Sequence, residues 1–405
     1  MSANPVNAWD MLVLAATETT LGTTPAPAST AAYAALAIEA INCSLGPAES
    51  GVIRDKQDRN LGRGMRSGWV EGRVAPIEWS LDTSLKSRAA VDTASHLLAL
   101  WTAAGFIHTI NGGSNVTITP SDQPIEDSVL AGVSLTRFLG SGLAVHEAET
   151  LRGGVVRNVR LEGGAGEVLA KFSGVGIGKT TATGQAGVQG SCDSLSVADD
   201  STTSITVSAA ESYRLAPGYY QWESEIILLT ACTPGGTSAT ITRGALGSTP
   251  AAHSNKPLVP YRPVPTFTGA PIAEAVSSVT LGGVSTRCRS WNVDIATGLD
   301  LLEPETGSRY SQGAKYGRYD VTASLQLVLS AAQVSLLGKV QARPTVALVL
   351  AQGTGTGGVV TINAPYCEVV AFNVPDTAGD IAVVDVQLRI RDDGSGNNAF
   401  SVVLS

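Results

Sequence analysis

The stretch that comes nearest to a chemical motif runs from Ser173 to Thr181 and reads SGVGIGKTT. A phosphate-binding loop has the pattern GxxxxGK[ST] and leads into a helix whose first N–H groups hold the phosphate. Ser173 stands where that pattern requires glycine, and the following TATGQAG does not suit a helix. We therefore expect this stretch to belong to the fold and not to bind a nucleotide.

Histidines, cysteines and acidic residues define no better site. The histidines form neither HxH nor HExxH with a neighbour, there is no GxSxG, and no cysteine has surroundings that mark a nucleophile. The four histidines are His96, His108, His146 and His253. Scattered acids could pair as glycosidase carboxylates, but nothing prefers that arrangement to solvated loops. The acids considered are Glu147, Glu149, Glu303 and Glu305. The sequence predicts no enzyme, no cofactor and no metal site.

The most conspicuous charges lie in the polar segment 51–73, in a chain of which only 15% of residues are charged. Six basic residues against three acidic ones leave this segment at +3, whereas the whole chain has a net charge of -8. A solvated loop is the plain interpretation. Long loops in compact domains are more often functional, and we interpret this one as built to dock on an acidic surface.

Two similar units position these segments. The run GRYDVTASLQLVLSAAQVSLLGKV from Gly317 alternates apolar and polar residues, which predicts a strand, and a helix follows from a capping box at Ser330. The run from Gly72 repeats this order, with alternation from Ile77 and helical spacing up to Trp101. Because the two Gly-Arg pairs are an odd number of residues apart, one strand must slip by one residue.

The order of elements predicts the domain organisation. In both halves a strand, a long polar loop, a strand, a helix and further strands lead to a closing hairpin, at 155–176 and at 366–390, which indicates an internal duplication. We predict a first domain at 1–189, an inserted small β-domain without a helix at 190–262, placed on the outside, and a second domain at 263–405. The first thirty residues, which lack periodicity, read as an extended arm along a neighbour.

Composition bounds the class of protein. Abundant Gly, Ser and Thr with 5% aromatic residues predict a turn-rich, mainly β protein. The acidic balance argues against a protein that reads nucleic-acid sequence. Five widely spaced cysteines indicate free thiols made in a reducing compartment. No basic leader precedes the apolar patch near the start, and no apolar run approaches the length of a membrane helix, so neither export nor membrane insertion is expected.

Four segments together resemble a known family. They are ETTLGTTPA from Glu18, GRVAPIEWSL from Gly72, LLALWTAAG from Leu97, and SWNVDIATGLDLLEPETGSRYSQGAKYGRYDVTASLQLVL from Ser290. They look like the tail tube proteins of bacteriophages with long, non-contractile tails, in the variety that fuses two tube domains. The likeness covers roughly residues 10–185 and 263–405. The segment ATITRGALGSTPAAH from Ala239 is similar to a small β-module of other phage virion proteins.

The resemblance implies a fold and a function. The fold is a β-sandwich or barrel with one flanking helix per repeat, present in two tandem tube-like domains. A tube protein polymerises into stacked rings around a tape-measure protein, meets tail-end proteins, and lets genomic DNA pass through its bore. Since one tube domain supplies a sixth of a ring in that family, this chain is expected to form helically stacked rings of three copies with pseudo-sixfold symmetry. It would be made in the host cytoplasm and reside in the tail of the virion. Ring-to-ring contacts are assigned to the loop 51–73 and its counterpart 303–316, specifically to Arg54, Arg59, Arg63, Arg66, Arg309 and Lys315.

Two other classes remain open. A receptor-binding or decoration protein of the tail would also be rich in strands and chemically silent, but fibre-like short repeats are more typical of it than a twofold duplication with helices. A polysaccharide-degrading virion enzyme would need paired carboxylates in a cleft and usually more aromatic residues.

Overall fold

The computed structural model describes most of the chain. The described residues are 12–23, 27–46, 76–88, 95–121, 132–139, 147–178, 188–265, 267, 269–272, 276–302, 311, 313–315, 317–328, 345–373, 383–392 and 400–405. Within them the fold is mainly β, as predicted. None of the described helices is long and apolar enough to cross a membrane.

The strands are numbered along the chain. The first half contains β1 (Leu12–Thr17), β2 (Ala37–Ile38), β3 (Ala40–Leu45), β4 (Ile77–Ser84), β5 (Phe106–Asn111), β6 (Asn115–Pro120), β7 (Val133–Leu139), β8 (Glu147–Gly164) and β9 (Leu169–Gly176). There follow β10 (Val188–Gly190), β11 (Cys192–Val197), β12 (Ser204–Thr206), β13 (Gly218–Trp222), β14 (Glu225–Cys232), β15 (Ser238–Thr242) and β16 (His253–Pro260). The second half contains β17 (Val276–Leu281), β18 (Val284–Ala296), β19 (Asp300–Leu301), β20 (Ala314–Lys315), β21 (Asp320–Val328), β22 (Thr345–Gly353), β23 (Val359–Asn373), β24 (Val383–Ile390) and β25 (Ser401–Leu404).

The helices are short. They are α1 (Thr30–Ala34), α2 (Leu98–Ala103) and α3 (Ala209–Ser212), with a 3-10 turn at Ala245–Gly247. The predicted strands at Ile77 and in the run from Gly317 are β4 and β21, and the predicted hairpins are β8 with β9 and β23 with β24. The first predicted helix is described only as α2, and the helix predicted from Ser330 lies outside the described residues.

The prediction of an extended N-terminal arm is wrong for residues 12–17, which form β1, a strand inside the first barrel. The reason is that β1 is buried on both faces and therefore shows no alternation. Val13 points into the barrel core, while Leu12 and Leu14 lie in a separate cluster on its outer side.

The first half closes into a six-stranded barrel, in which β3 and β2 together count as one strand. Neighbouring strands run in the order β1, β7, β8, β9, β4 and then β3 with β2, which returns to β1. The second half closes in the same way, in the order β17, β22, β23, β24, β21 and β18. All these pairs are antiparallel, so each strand of one barrel has an equivalent in the other.

The equivalence extends to the register. Three register shifts fall at equivalent places in the two barrels. They lie between Ala40 and Asn42, Val133 and Leu135, and Val156 and Asn158 in the first, and between Cys288 and Ser290, Val346 and Leu348, and Val369 and Ala371 in the second. The second barrel has a further shift between Val276 and Ser278, whose equivalent in the first lies outside the described residues. A β-bulge adds a residue to one strand and bends the sheet, so matched bulges give matched curvature. The two halves therefore share strand order, register and bends.

The alternation of buried and exposed residues in β4 and β21 can be compared with the odd spacing of the Gly-Arg pairs. In β4 the buried positions include Ile77, Trp79 and Leu81, and in β21 they include Val321 and Leu325. All of these buried residues have odd numbers, so equivalent positions in β4 and β21 differ by an even number. The two Gly-Arg pairs differ by an odd number, so the two strands can be aligned only with a slip of one residue relative to these pairs, as predicted.

One sheet continues from the first barrel into the second. The C-terminal half of β8 pairs with β18 over seven residues, from Asn158 opposite Ala296 to Gly164 opposite Ser290. The hairpin of β5 and β6 adds a second connection, because β6 pairs with β25, which belongs to the second half. The cores of both barrels consequently form one continuous cluster of buried side chains.

Helix α2 packs against the first barrel core. Trp101 is fully buried and meets the rings of Phe106 and Phe172 edge-on, with centroids 5.1 and 5.5 Å apart. Gly105 ends the helix with a positive φ of 79°, and Tyr319 of the second half donates its hydroxyl to the Gly105 carbonyl at 2.8 Å. The end of α2 is therefore tied to the second half.

The inserted segment has a sheet of its own, with strands in the order β11, β16, β13, β14, β15 and β12, inside the span predicted for the insert. Its core is a separate buried cluster that includes Tyr220, Trp222 and Leu229. The expectation that it contains no helix is wrong. Helix α3 begins with a capping box, in which Ser208 and Glu211 each accept the other's backbone N–H, a local stabilisation that needs no long periodic run.

Candidate functional site

One surface shared by both halves is the polar side of a continuous sheet, which we call the polar face. The sheet is formed by β4, β9, β8, β18, β21, β24 and β23. One row of directly opposed residues crosses it from the first barrel to the second. In strand order the row reads Asp82, Lys171, Arg160, Asp294, Thr322, Arg389 and Glu368. The opposite side of each strand carries the barrel core, so alternation in the sequence generates this surface.

Ion pairs connect neighbouring strands of the polar face. Arg160 lies 3.4 Å from Asp294 across the junction between the barrels and 3.1 Å from Glu162 on its own strand. Lys171 also pairs with Glu162. Burial alone would raise the pKa of Glu162, but the hydrogen bonds and charges of Lys171 and Arg160 lower it below its usual value. Glu162 is therefore held as a carboxylate between two cations.

Acidic residues outnumber basic ones on the polar face. Within its strands, with β8 counted from Asn158, where it begins to pair with β18, the acidic residues are Glu78, Asp82, Glu162, Asp294, Asp320, Glu368 and Asp385, and the basic ones are Arg160, Lys171, Arg287, Arg289 and Arg389. The central cations are neutralised, since Arg389 also pairs with Asp320 at 3.0 Å. The face consequently presents few unpaired positive charges to a polyanion.

A cavity of about 790 Å³ opens on this face beside the turn between β8 and β9. Its lining combines amides, hydroxyls and charges of both signs, among them Arg160, Glu162, Asn292, Gln326 and Asp385. Within the described residues, no group of three or more His, Cys, Asp and Glu side chains is arranged to hold a metal ion. Among the described residues that line the cavity, no hydroxyl or thiol is paired with a basic side chain.

Buried polar contacts fix the junction between the barrels. The side chain of Gln352 is fully buried, and its Oε1 accepts hydrogen bonds from Trp291 Nε1 at 2.7 Å and from the backbone of Gly164 at 3.0 Å. Its Nε2 donates to the Gly166 carbonyl at 2.9 Å. Gly163 leaves no room for a side chain beside Gln352 and Trp291. Gln352 thus joins a strand of the second barrel to the end of β8.

Most of the residues predicted to make ring-to-ring contacts lie outside the described part of the chain, namely Arg54, Arg59, Arg63, Arg66 and Arg309. Lys315 is described. It is exposed on β20, and its Nζ lies 3.5 Å from Asp300 on the paired strand β19. The loops themselves occupy equivalent places, because one connects β3 to β4 and the other connects β18 to β21. The assignment of these residues to contacts stays a prediction.

The stretch that resembles a phosphate-binding loop forms the end of β9 through Gly176. Gly174 lies against the backbone of Val155, where a side chain would clash, so this glycine serves close strand packing. Residues 179–181 of the stretch lie outside the described residues.

The histidines are dispersed. His253 belongs to the insert, His108 lies on β5, His96 precedes α2, and His146 lies outside the described residues. No disulfide joins the five cysteines.

Sequence reasoning did not identify the junction residues. Gln352 and Gly163 belong to no recognisable sequence motif, and they become neighbours only because β8 pairs with β18. The polar face was detectable in part, since its residues are the polar members of the alternating runs.

A scan of the sequence against protein-family models and a search of curated proteins found no match.

Proposed function

We propose that this chain is a structural virion protein that polymerises into stacked rings and forms the hollow tail tube of a bacteriophage with a long, non-contractile tail. Three copies close each ring, so that six barrels surround the bore. The tape-measure protein occupies the bore during assembly, tail-end proteins meet the last ring, and genomic DNA passes through during delivery to the host.

The observation that carries this proposal is the pair of barrels with matched register, joined by one continuous sheet. A ring of like units needs an interface that repeats by rotation, with one patch of each unit meeting a different patch of the next. The pairing of β8 with β18 is an interface of this kind, because it joins non-equivalent strands of two equivalent barrels. Repeating it would carry the sheet around a circle.

The charge of the polar face supports its assignment to the bore. DNA binds to proteins chiefly through cations that neutralise its phosphates, and each such contact adds to its retention. A surface with more carboxylates than cations, and with its central cations already paired, lets DNA slide. The equivalent chain positions of the basic loop 51–73 and its counterpart 303–316 support their assignment to contacts between rings.

Negative-stain images of the purified protein test the function. Rings or open tubes are the expected result. Isolated trimeric rods would favour the receptor-binding or decoration protein, and compact particles with hydrolytic activity would favour the enzyme. Either of these outcomes would reject the proposal.

A further inference from the structure

The cavity on the polar face is lined by different chemistry from the equivalent surface of the first barrel. Part of its lining is a row of directly opposed residues on β18, β21, β24 and β23, namely Ser290, Gln326, Asp385 and Asn373. At the last three of these positions the first barrel carries Asp82, Lys171 and Arg160. A row of charges in the first barrel therefore corresponds to a row with two amides and one carboxylate in the second.

The amide groups in the cavity are available to a ligand. Gln326 accepts a hydrogen bond from the Ser290 hydroxyl at 2.9 Å through Oε1, which leaves the Nε2 donors of Gln326 without a partner among the described residues. Within the same part of the chain, the side chains of Asn373 and Gln387 make no hydrogen bond, and both also line the cavity. All three amides are exposed, and each amide group carries two N–H donors and an acceptor.

From this chemistry we infer that the cavity binds a segment of polypeptide through its peptide groups. A peptide group carries one donor and one acceptor, and an amide side chain can pair with both at once. The inference rests on the proposed tube function and deepens it, because the tube is proposed to hold a polypeptide, the tape-measure protein, in the bore that the polar face lines. Each chain supplies one such site, so a ring of three chains supplies three.

The dimensions of the cavity suit a short segment of chain. Its volume of about 790 Å³ lies within the range of roughly 300–1,000 Å³ that is typical of ligand pockets. The lining extends from Leu169 on β9 across four further strands to Asn373 on β23, and because neighbouring strands lie about 4.8 Å apart, this width is about 24 Å. An extended segment of about seven residues spans that width, at ~3.3 Å per residue.

Phosphates of DNA fit the lining less well, because they bind chiefly to cations. Among the charged residues of the lining, three carboxylates outnumber two guanidinium groups, and one of these, that of Arg160, already pairs with Asp294. The carboxylates are those of Glu162, Glu167 and Asp385, and the second guanidinium is that of Arg289.

A sugar also fits less well, because sugar rings usually pack against an exposed aromatic face. Trp291 is the aromatic residue among the described residues of the lining, and it is 2% exposed, with its Nε1 donating to Gln352. The cavity therefore offers hydrogen bonds without a stacking surface.

Photo-cross-linking in assembled tails tests the inference. The full chain carries p-benzoylphenylalanine in place of Gln326 and assembles into tails in the host. We expect cross-links to a polypeptide other than this chain, at sites that recur at regular intervals along that polypeptide, because successive rings present the same cavity. Glu78 is the matched control position, since it is exposed on the polar face of the first barrel and does not line the cavity. The yield from Glu78 should be at least fivefold lower.

An isosteric substitution tests the part played by the amide. Gln326→Glu keeps the acceptor for Ser290 but removes the two N–H donors. With p-benzoylphenylalanine in place of Gln387, this substitution should lower the yield of the same cross-link at least fivefold. Asn158→Asp is the matched control, because Asn158 is an exposed amide of the polar face outside the cavity, and the yield should not change. Since neither side chain is buried, both variants should unfold at the same urea concentration as the unmodified chain.

Several results would overturn the inference and leave the tube function standing. They are tails that form but cross-link from Gln326 to DNA or to a second copy of this chain, equal yields from Gln326 and Glu78, and an unchanged yield in Gln326→Glu. If neither the variants nor the unmodified chain forms rings or tubes, both the inference and the proposed function are wrong.

Discussion

Gln352 shows how one buried side chain can hold two barrels together. It satisfies three polar groups at the junction, and two of them, the Trp291 indole N–H and the Gly164 N–H, are buried. A buried donor or acceptor that loses its partner costs about 1–3 kcal/mol.

We therefore expect Gln352→Leu to lower the free energy of unfolding by roughly 3 kcal/mol, because the buried N–H groups of the Trp291 indole and of Gly164 are left unpaired. Urea denaturation measures the change. Gln387→Leu is the matched control, since this glutamine is exposed on the polar face, and its effect should stay within about 0.5 kcal/mol. Equal effects of the two variants would mean that Gln352 does not lock the junction.

Glu225 anchors the insert in a similar way. It is fully buried, and Arg243 donates to both of its oxygens at 2.7 Å, while His253 Nε2 lies 2.8 Å from one of them. Burial alone would raise the pKa of Glu225, but Arg243, the backbone of Gly244 and His253 lower it to about 2. Breaking a buried pair leaves an uncompensated charge.

Glu225→Gln should lower the free energy of unfolding by about 3 kcal/mol at neutral pH, since Arg243 would keep its charge without a counter-ion. Hydrogen exchange in β14 reports this locally. Glu223→Gln is the control, because Glu223 touches the same histidine from the protein surface, and it should leave exchange in β14 unchanged. Similar protection of the β14 amides from exchange in both variants would show that the buried pair of Glu225 and Arg243 does not contribute to stability.

The same group sets a pH dependence. The pKa of Glu225 in the folded protein lies below its ordinary value of 4.5, so the folded state binds a proton less readily than the unfolded one. Its stabilisation is complete above pH 4.5 and is lost as the pH falls towards 2. Protection of β14 should decline across that window, and Glu225→Gln should flatten the decline. A variant with the same pH dependence as the unmodified chain would refute this assignment.

At the scale of elements, a comparison of the two barrels explains how the insert is held. The outer side of the first barrel carries Leu12, Leu14, Phe138 and Ala148, which pack with Ile226 and Leu246 of the insert. The equivalent positions of the second barrel are Ser278, Thr280, Ala351 and Thr361. The second barrel is more polar where nothing of the insert covers it.

Deletion of residues 190–262 with a short Gly/Ser bridge should therefore expose the apolar patch and cause the protein to aggregate. The same deletion combined with L12S, L14T, F138A and A148T, which copies the second barrel, should restore a soluble chain that assembles. Light scattering and negative stain measure the two outcomes. Failure of the combined variant to assemble, although folded, would place the insert within the wall of the tube.

At the scale of elements, the loops 51–73 and 303–316 are predicted to make the contacts between rings. Changing Arg59, Arg63 and Arg66 together to Ser should weaken the stacking of rings, and raised salt should weaken it further, because exposed charges are screened within a Debye length of about 8–10 Å at moderate salt. Tube length in negative stain is the measurement. Tubes of normal length at raised salt would exclude these residues from the contacts between rings.

Sequence periodicity predicted those elements that are buried on one face only. It located β4, β21 and both closing hairpins, since each alternates with a period of two. It missed β1 because that strand is covered on both sides, once by the barrel core and once by α1 and the insert. Register and bulges depend on the partner strand, so the matched shifts at Asn158 and Ala371 emerge only from the pairing.

For the whole molecule, the central claim is that two equivalent barrels act as consecutive units of one ring. Each chain then contributes one internal junction and one junction with the next chain. The polar face would continue around the bore, and no long strand edge would remain open to aggregation.

Native mass spectrometry of isolated rings, combined with the rotational symmetry of end-on images, tests this claim most directly. We expect the mass of three chains and a threefold ring whose density has six similar lobes. Six full-length chains in a ring would mean that only one barrel of each chain forms the wall, and would contradict the equivalence of the two barrels in assembly.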